Sequence, residues 1–147
     1  MTALDRAEIV AAARGWIGTP YHHQASLKHV GCDCLGLVRG LWRELVGPEP
    51  ERLPAYSPDW AEADRSERLL AAGDRHFARV DVAAAQPGDV LLFRWRDGSA
   101  AKHLAILTAP DRIVHAYDAA KMVAEVSLVP FWRRRIVAAF RFPGVLD

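Results

Sequence analysis

Only two cysteines occur in 147 residues, Cys32 and Cys34. A single residue separates them, which makes a poor structural staple and excludes a fold built on disulfides. The same spacing speaks against a metal module made from Cys32, Cys34, His22, His23 and His29, because Cys-x-Cys is not the usual zinc spacing. Long apolar runs are missing too. No stretch reaches about 18 uncharged apolar residues, so no transmembrane helix is expected. Nor is there an excess of one charge. With 19 basic and 18 acidic residues the formal net charge is +1, short of the basic excess usual in a general nucleic-acid binder. Repeats and low-complexity tracts are absent. The start, Met1-Thr2-Ala3-Leu4-Asp5-Arg6, has neither a basic n-region nor an apolar h-region. The expectation is therefore synthesis in the cytoplasm, with any action outside it depending on another export route.

What remains is ordinary globular composition, 51% hydrophobic and 25% charged. The length suggests one domain, residues 1–147, able to bury a core without staples. Charge is nonetheless segregated. Residues 48–81 carry eight acids against five bases, and residues 121–147 carry five bases against two acids. Arg133, Arg134 and Arg135 dominate the second block, which reads as solvated surface or as a docking face.

Thr2 with Asp5 resembles a capping box. Ile9, Val10, Ala13, Trp16 and Ile17 then recur at helical spacing, up to about Gly18, where Thr19-Pro20 breaks the helix. Residues 19–32 read as a loop. Leu37, Val38, Leu41, Trp42 and Leu45 form a second helical stripe, with Asp33 as N-cap and Gly47-Pro48 as its close. Residues 48–58 are proline-rich. Ser57-Pro58-Asp59 opens a short helix running to about Gly73. Thereafter the pattern turns strand-like: Val90 to Trp95, a hairpin signal at Asp97-Gly98, then His103 to Thr108, Ile113 to Tyr117, Met122 to Leu128 and Ile136 to Phe142. Helices first and strands afterwards predict an α+β domain with an antiparallel sheet of about five strands. Trp16 and Trp42 fall on helical stripes and read as core, whereas Trp60, Trp95 and Trp132 fit core, interface or groove.

Three segments can carry chemistry. Cys34 falls in the first turn of the second helix, where free backbone N–H groups and the helix dipole favour a thiolate, so a lowered pKa and a nucleophile are expected, a buried structural cysteine being the alternative on this segment alone. His103 begins an apolar strand and can reach a thiol on a neighbouring helix. His115 lies mid-strand among apolar residues and needs a buried partner or a cleft. Only the turn at Pro110-Asp111 separates their strands, which predicts adjacent strands and lets one imidazole orient the other. Cys32 reads as a small residue packed under the helix. Facing the cleft, it could instead resolve an oxidised Cys34.

Gly18-Thr19-Pro20-Tyr21, Asp33-Cys34-Leu35-Gly36, Pro87-Gly88-Asp89, His103-Leu104-Ala105-Ile106 and Val114-His115-Ala116, in this order, resemble the NlpC/P60 family of cysteine peptidases. The likeness covers roughly residues 3–142. It implies a papain-like, circularly permuted fold with the N-terminal helices packed on the sheet. It also implies roles: Cys34 as nucleophile, His103 as general base and then acid, His115 as the third, orienting residue, and Tyr21 in substrate or oxyanion binding, with no cofactor or metal. The implied substrate is the peptidoglycan stem peptide, typically cut at the γ-D-glutamyl to diaminopimelate bond. The proline-rich insertion and the Tyr21-His22-His23-Gln24 run resemble the phage-tail and gene-transfer-agent branch. That placement implies tail-tip or baseplate partners and action at the cell wall. A structural tail-tip protein on the same fold is the alternative. Two departures stand out: Leu35 replaces a serine, and His22, His23 and Gln24 stand where glycines are common.

Overall fold

The computed structural model describes residues 3–51 and 67–146. Thr2, Trp60 and the start of the helix expected from Ser57 lie outside the described residues. The chain forms α1 (Arg6–Arg14), a two-stranded hairpin β1 (Ser26–Leu27) and β2 (Gly31–Cys32), and α2 (Cys34–Leu45). Next come α3 (Arg68–His76), β3 (Ala78–Val80), β4 (Val90–Phe93), β5 (His103–Ala109), β6 (Arg112–Tyr117), β7 (Met122–Ser127), the short α4 (Pro130–Arg133) and β8 (Ile136–Arg141). The main sheet has six strands, in the order β3-β8-β4-β5-β6-β7, with every pairing antiparallel. The α+β reading holds.

Several expectations need correction. The sheet gains β3, too short and polar to show a period. Residues 19–32 contain the β1–β2 hairpin and are not simply a loop. Asp5 is itself the N-cap of α1, accepting from the Ala7 N–H, and is not the far end of a capping box. Helix α1 stops at Arg14, with hydrogen-bonded turns continuing toward Gly18. The β4–β5 hairpin is real, but residues 94–102 connect it where Asp97-Gly98 suggested a tight turn.

Alternation along the strands divides the core. Val90, Leu92, Leu104, Ile106 and Val114 pack with α1 and α2, against Ile9, Trp16, Leu37 and Leu41. Leu91, Phe93, Ala105, Leu107 and Ile113 pack on the opposite face, around Trp132 of α4. Trp16 and Trp42 are core residues, as their stripes predict. Helix α2 approaches closely at two glycines. A Cβ on Gly40 would lie 2.2 Å from the Trp16 ring, and one on Gly36 would lie 1.8 Å from the Ala25 carbonyl oxygen. The second contact clamps the segment entering β1 onto the start of α2.

Candidate active site

The segment Gly18–His22 is held from both sides. Gly18 N–H donates to the Val123 carbonyl and Tyr21 N–H to that of Lys121, while Cys32 N–H donates to Pro20 and His22 N–H to Cys32. It therefore works as a connecting strand between β7 and β2. Pro20, which has no N–H, fits there because its carbonyl alone is used. The arrangement delivers Tyr21 to the wall of a cleft of about 250 Å³ that Cys34, Trp95, His103 and Tyr117 also line.

Asp33 caps α2 as expected. One carboxylate oxygen accepts from Gly36 N–H at 2.7 Å, the other from Gln24 N–H at 2.8 Å. Gln24 has φ +64°, so the carboxylate fixes a turn that few side chains adopt freely. Cys34 thus stands at the first turn of a capped helix, half-buried at the cleft.

Cys34 meets the open end of a strand ladder. The β5–β6 pairing runs from Ala109–Arg112 to Ile106–Val114 and does not continue to residues 103–105. There the sulfur takes up the strand's polar groups. Its thiol donates to the Lys102 carbonyl at 3.5 Å, and the Leu104 and Leu35 N–H groups donate to the sulfur. Among the described residues no hydrogen bond joins the thiol to an imidazole. The expected lowering of its pKa is not found. Burial first, and then the Asp33 carboxylate, push the thiol up to about 12, against the two N–H donors. A helix N-terminus favours a thiolate, but desolvation outweighs it here.

His103 and His115 come together as the turn between their strands predicts. Nε2 of His103 lies 2.8 Å from Nδ1 of His115, and both rings are almost fully buried. Their walls are aromatic. Trp132 stacks on His103 with centroids 5.5 Å apart, Trp95 lies 5.2 Å from the same ring, and Tyr117 stacks on His115 at 5.4 Å. Among the described residues no carboxylate pairs with either ring. Burial, then His115 and Lys102, hold His103 well below the usual imidazole range, and burial alone lowers His115 to about 4. The resting site is therefore a neutral thiol beside two neutral imidazoles.

Cys32 is fully buried in the core and does not line the cleft. It is packed as the inert alternative predicts, and the idea that it resolves an oxidised Cys34 loses its premise. Among the described residues no three His, Cys, Asp or Glu side chains converge to hold a metal. Among the described residues no helix is long and apolar enough to cross a membrane. Leu35 lines the cleft on one side and an apolar pocket with Val38, Trp42 and Leu69 on the other, which accounts for an apolar side chain there. Sequence reading gave Trp95 and Trp132 no firm place. Their distance in sequence from the histidines left no local signal.

The NlpC/P60 family matches residues 18–141 of this sequence. The chain belongs to the NlpC/P60 family. It is 29% identical over 126 residues to "Murein DD-endopeptidase MepS/Murein LD-carboxypeptidase" of Escherichia coli strain K12, a match covering 86% of this chain and 57% of that protein. It is 25% identical over 137 residues to "Gamma-DL-glutamyl hydrolase" of Bacillus subtilis strain 168, covering 93% of this chain and 29% of that one. The chain thus spans little more than half, or less, of these curated relatives. Among solved structures, the NlpC/p60 domain of peptidoglycan hydrolase SagA superposes with a TM-score of 0.68 at 23% identity, covering 95% of this chain and all of that domain. An NlpC/P60 protein from Bacillus cereus ATCC 10987 gives 0.67 at 20% identity, over 95% of this chain and 41% of that one. The papain-like NlpC/P60 fold is shared with both.

Proposed function

We propose that this chain is a cysteine endopeptidase that hydrolyses peptidoglycan stem-peptide amide bonds, with the γ-D-glutamyl to diaminopimelate bond as its target. The convergence of Cys34 and His103 in one cleft, with His115 hydrogen-bonded to His103, carries this reading. The names of the relatives, a murein endopeptidase and a γ-glutamyl hydrolase, support it.

The chemistry follows from the atoms present. Nε2 of His103 faces His115, so Nδ1 is the nitrogen left for the thiol. For Nδ1 to accept, Nε2 must carry hydrogen and donate to Nδ1 of His115, which sets the tautomer of both rings. The thiol rotates from the Lys102 carbonyl to Nδ1, transfers its proton and attacks the amide carbon. The backbone N–H of Cys34 itself, at the start of α2, receives the oxyanion. Burial, with Cys34 nearby, raises the Tyr21 phenol above its ordinary value, so its hydroxyl stays protonated and serves as a further donor. His103 then protonates the leaving amine. The same imidazole next activates the water that frees the acyl group from Cys34.

The finer setting within the proposal is a phage-like tail tip or gene transfer agent that opens the wall locally. The Tyr21-His22-His23-Gln24 run and the proline-rich insertion support that placement.

The decisive experiment digests purified peptidoglycan and identifies the fragments by mass. Wild-type protein is expected to release fragments with new γ-D-glutamyl carboxylates and new diaminopimelate amines. Cys34→Ala, folded by circular dichroism, is expected to release none. If the wild type releases nothing and a thiol probe leaves Cys34 unlabelled at any pH up to 9, the structural tail-protein reading takes its place.

A further inference from the structure

A second groove adjoins the cleft through one residue. Trp95 presents its ring to His103, 5.2 Å between centroids, and lines the cleft. It also lines an open groove of about 660 Å³, walled by Arg94, Arg96, Arg134 and Arg135 against a single acid, Asp97. Two of these arginines are built in. Arg135 donates from Nε to the Trp95 carbonyl at 3.2 Å and from Nη1 to the Phe131 carbonyl at 2.7 Å, and its guanidinium lies 3.9 Å from the centre of the Phe131 ring. Arg94 is held by Glu67 at 2.8 Å and by the Ser99 carbonyl. These bonds leave Nη2 of Arg135 with no partner among the described residues. Arg134 is exposed beside it, likewise without a side-chain partner among them. Cationic donors therefore face the groove, and the bonds that fix Arg135 also fix the backbone of Trp95.

The position of the groove says which half of a substrate would reach it. His103 gives its proton to the leaving amine, so the leaving fragment lies on the His103 side of the scissile bond. Trp95 flanks His103, and the arginines lie beyond it. We propose that this groove is a subsite for a carboxylate on the leaving-amine fragment, selecting amino acid or peptide leaving groups that carry a free acid. Arg134 and the Nη2 edge of Arg135 bind it, since a guanidinium matches a carboxylate in both charge and donor geometry. The proposal rests on the cysteine-peptidase reading, which sets where the leaving group lies.

Binding and turnover test it separately. Free diaminopimelate and its diamide are titrated into Cys34→Ala protein while the arginine Nε–H and tryptophan indole N–H signals are followed by NMR. The acid is expected to bind at least roughly tenfold tighter than the diamide, to shift the Arg135 and Trp95 signals, and to lose this advantage in Arg134→Glu and in high salt. In turnover, the wild type is expected to prefer L-Ala–γ-D-Glu–diaminopimelate with free leaving-group acids over its amidated form by a similar factor in kcat/KM. Arg134→Glu is expected to lose most of that preference. Equal binding of acid and diamide, or a preference that survives Arg134→Glu, overturns the subsite. Loss of turnover on both substrates with the binding preference intact refutes the peptidase reading and leaves the anion site standing.

Discussion

The β4–β5 ladder buries polar groups at both of its ends, and the two ends are handled in opposite ways. Just before β4, Asp89 is fully buried and is met by charge: Arg6 at 3.0 Å, Arg141 at 3.1 Å and the Gln86 N–H at 2.9 Å. It ties α1, the turn before β4 and β8 into one joint, which is a structural reason for the Pro87-Gly88-Asp89 sequence. Where β5 begins, His103 and His115 are almost as buried but, among the described residues, have only each other and a wall of rings. One end holds a carboxylate compensated by two guanidinium groups. The other holds titratable groups neutral and uncommitted, as proton transfer requires. Stability is concentrated at the first end and the proposed chemistry at the second.

Paired substitutions test that division most strongly. His103→Ala is expected to lower kcat/KM by on the order of 10³-fold in protein that still folds, its stability cost limited to the cavity between Trp95 and Trp132 and the lost bond to His115, because no buried charge loses its partner. Asp89→Ala is expected to do the reverse. It removes the buried carboxylate from Arg6 and Arg141, whose side chains are 15% and 19% exposed, and costs about 3 kcal/mol in urea unfolding. Activity per folded molecule should stay near wild type. A stable but inactive Asp89 variant would show that the two ends are not independent.

The next effect is pH dependence. The folded state holds His115 at about 4 and His103 below its ordinary value, whereas an unfolded imidazole titrates near 6.5. Between these values the unfolded chain binds more protons, so stability rises with pH in that window and is lost as pH falls from about 6.5 toward 4. For His115 alone the loss amounts to roughly 3 kcal/mol at about 1.4 kcal/mol per pH unit, and His103 adds to it. Glu49, Glu67 and Glu125 have lowered pKa values, and their contribution is lost only at more acid pH. The upper part of the window therefore belongs to the imidazoles. Urea unfolding at pH 7.0, 5.5 and 4.5 checks this, and a flat response from 7.0 to 5.5 would contradict it. Over the same range kcat/KM of the folded protein should hold its plateau, since His103 remains a neutral base.

The sequence made parts of this site legible for local reasons. Asp33 as a cap and Cys34 at a helix start follow from neighbouring residues, and the adjacency of His103 and His115 follows from a single turn. The thiol's raised pKa was not legible, because the helix-terminus argument counts the local dipole and omits burial against β5. Asp89 gave no hint of its partners, which lie at Arg6 and Arg141. The β1–β2 hairpin hid in a segment without periodicity, its geometry set by a carboxylate and by the contact at Gly36. Arg134 and Arg135 were visible as a basic run, but nothing in the run showed that Trp95 links it to the cleft.

The smallest expected effect concerns how His115 acts, and here geometry separates two similar replacements. His115 faces His103 through Nδ1, at 2.8 Å. The amide oxygen of asparagine occupies nearly the place of Nδ1, whereas that of glutamine reaches further, toward the place of Nε2. An acceptor at the Nδ1 position still takes the hydrogen of His103 Nε2 and keeps Nδ1 of His103 turned to the thiol. His115→Asn is therefore expected to retain kcat/KM within roughly tenfold, as for loss of one orienting contact with its acceptor preserved. His115→Gln should retain less. His115→Phe, which keeps the ring packing against Trp132 and Tyr117 but offers no acceptor, should approach the loss seen in His103→Ala. All three remove a buried imidazole, so all three should also flatten the fall in stability below pH 6.5. If phenylalanine keeps as much activity as asparagine, His115 only fills space. If every replacement is as inactive as His103→Ala, His115 carries a proton in the reaction itself.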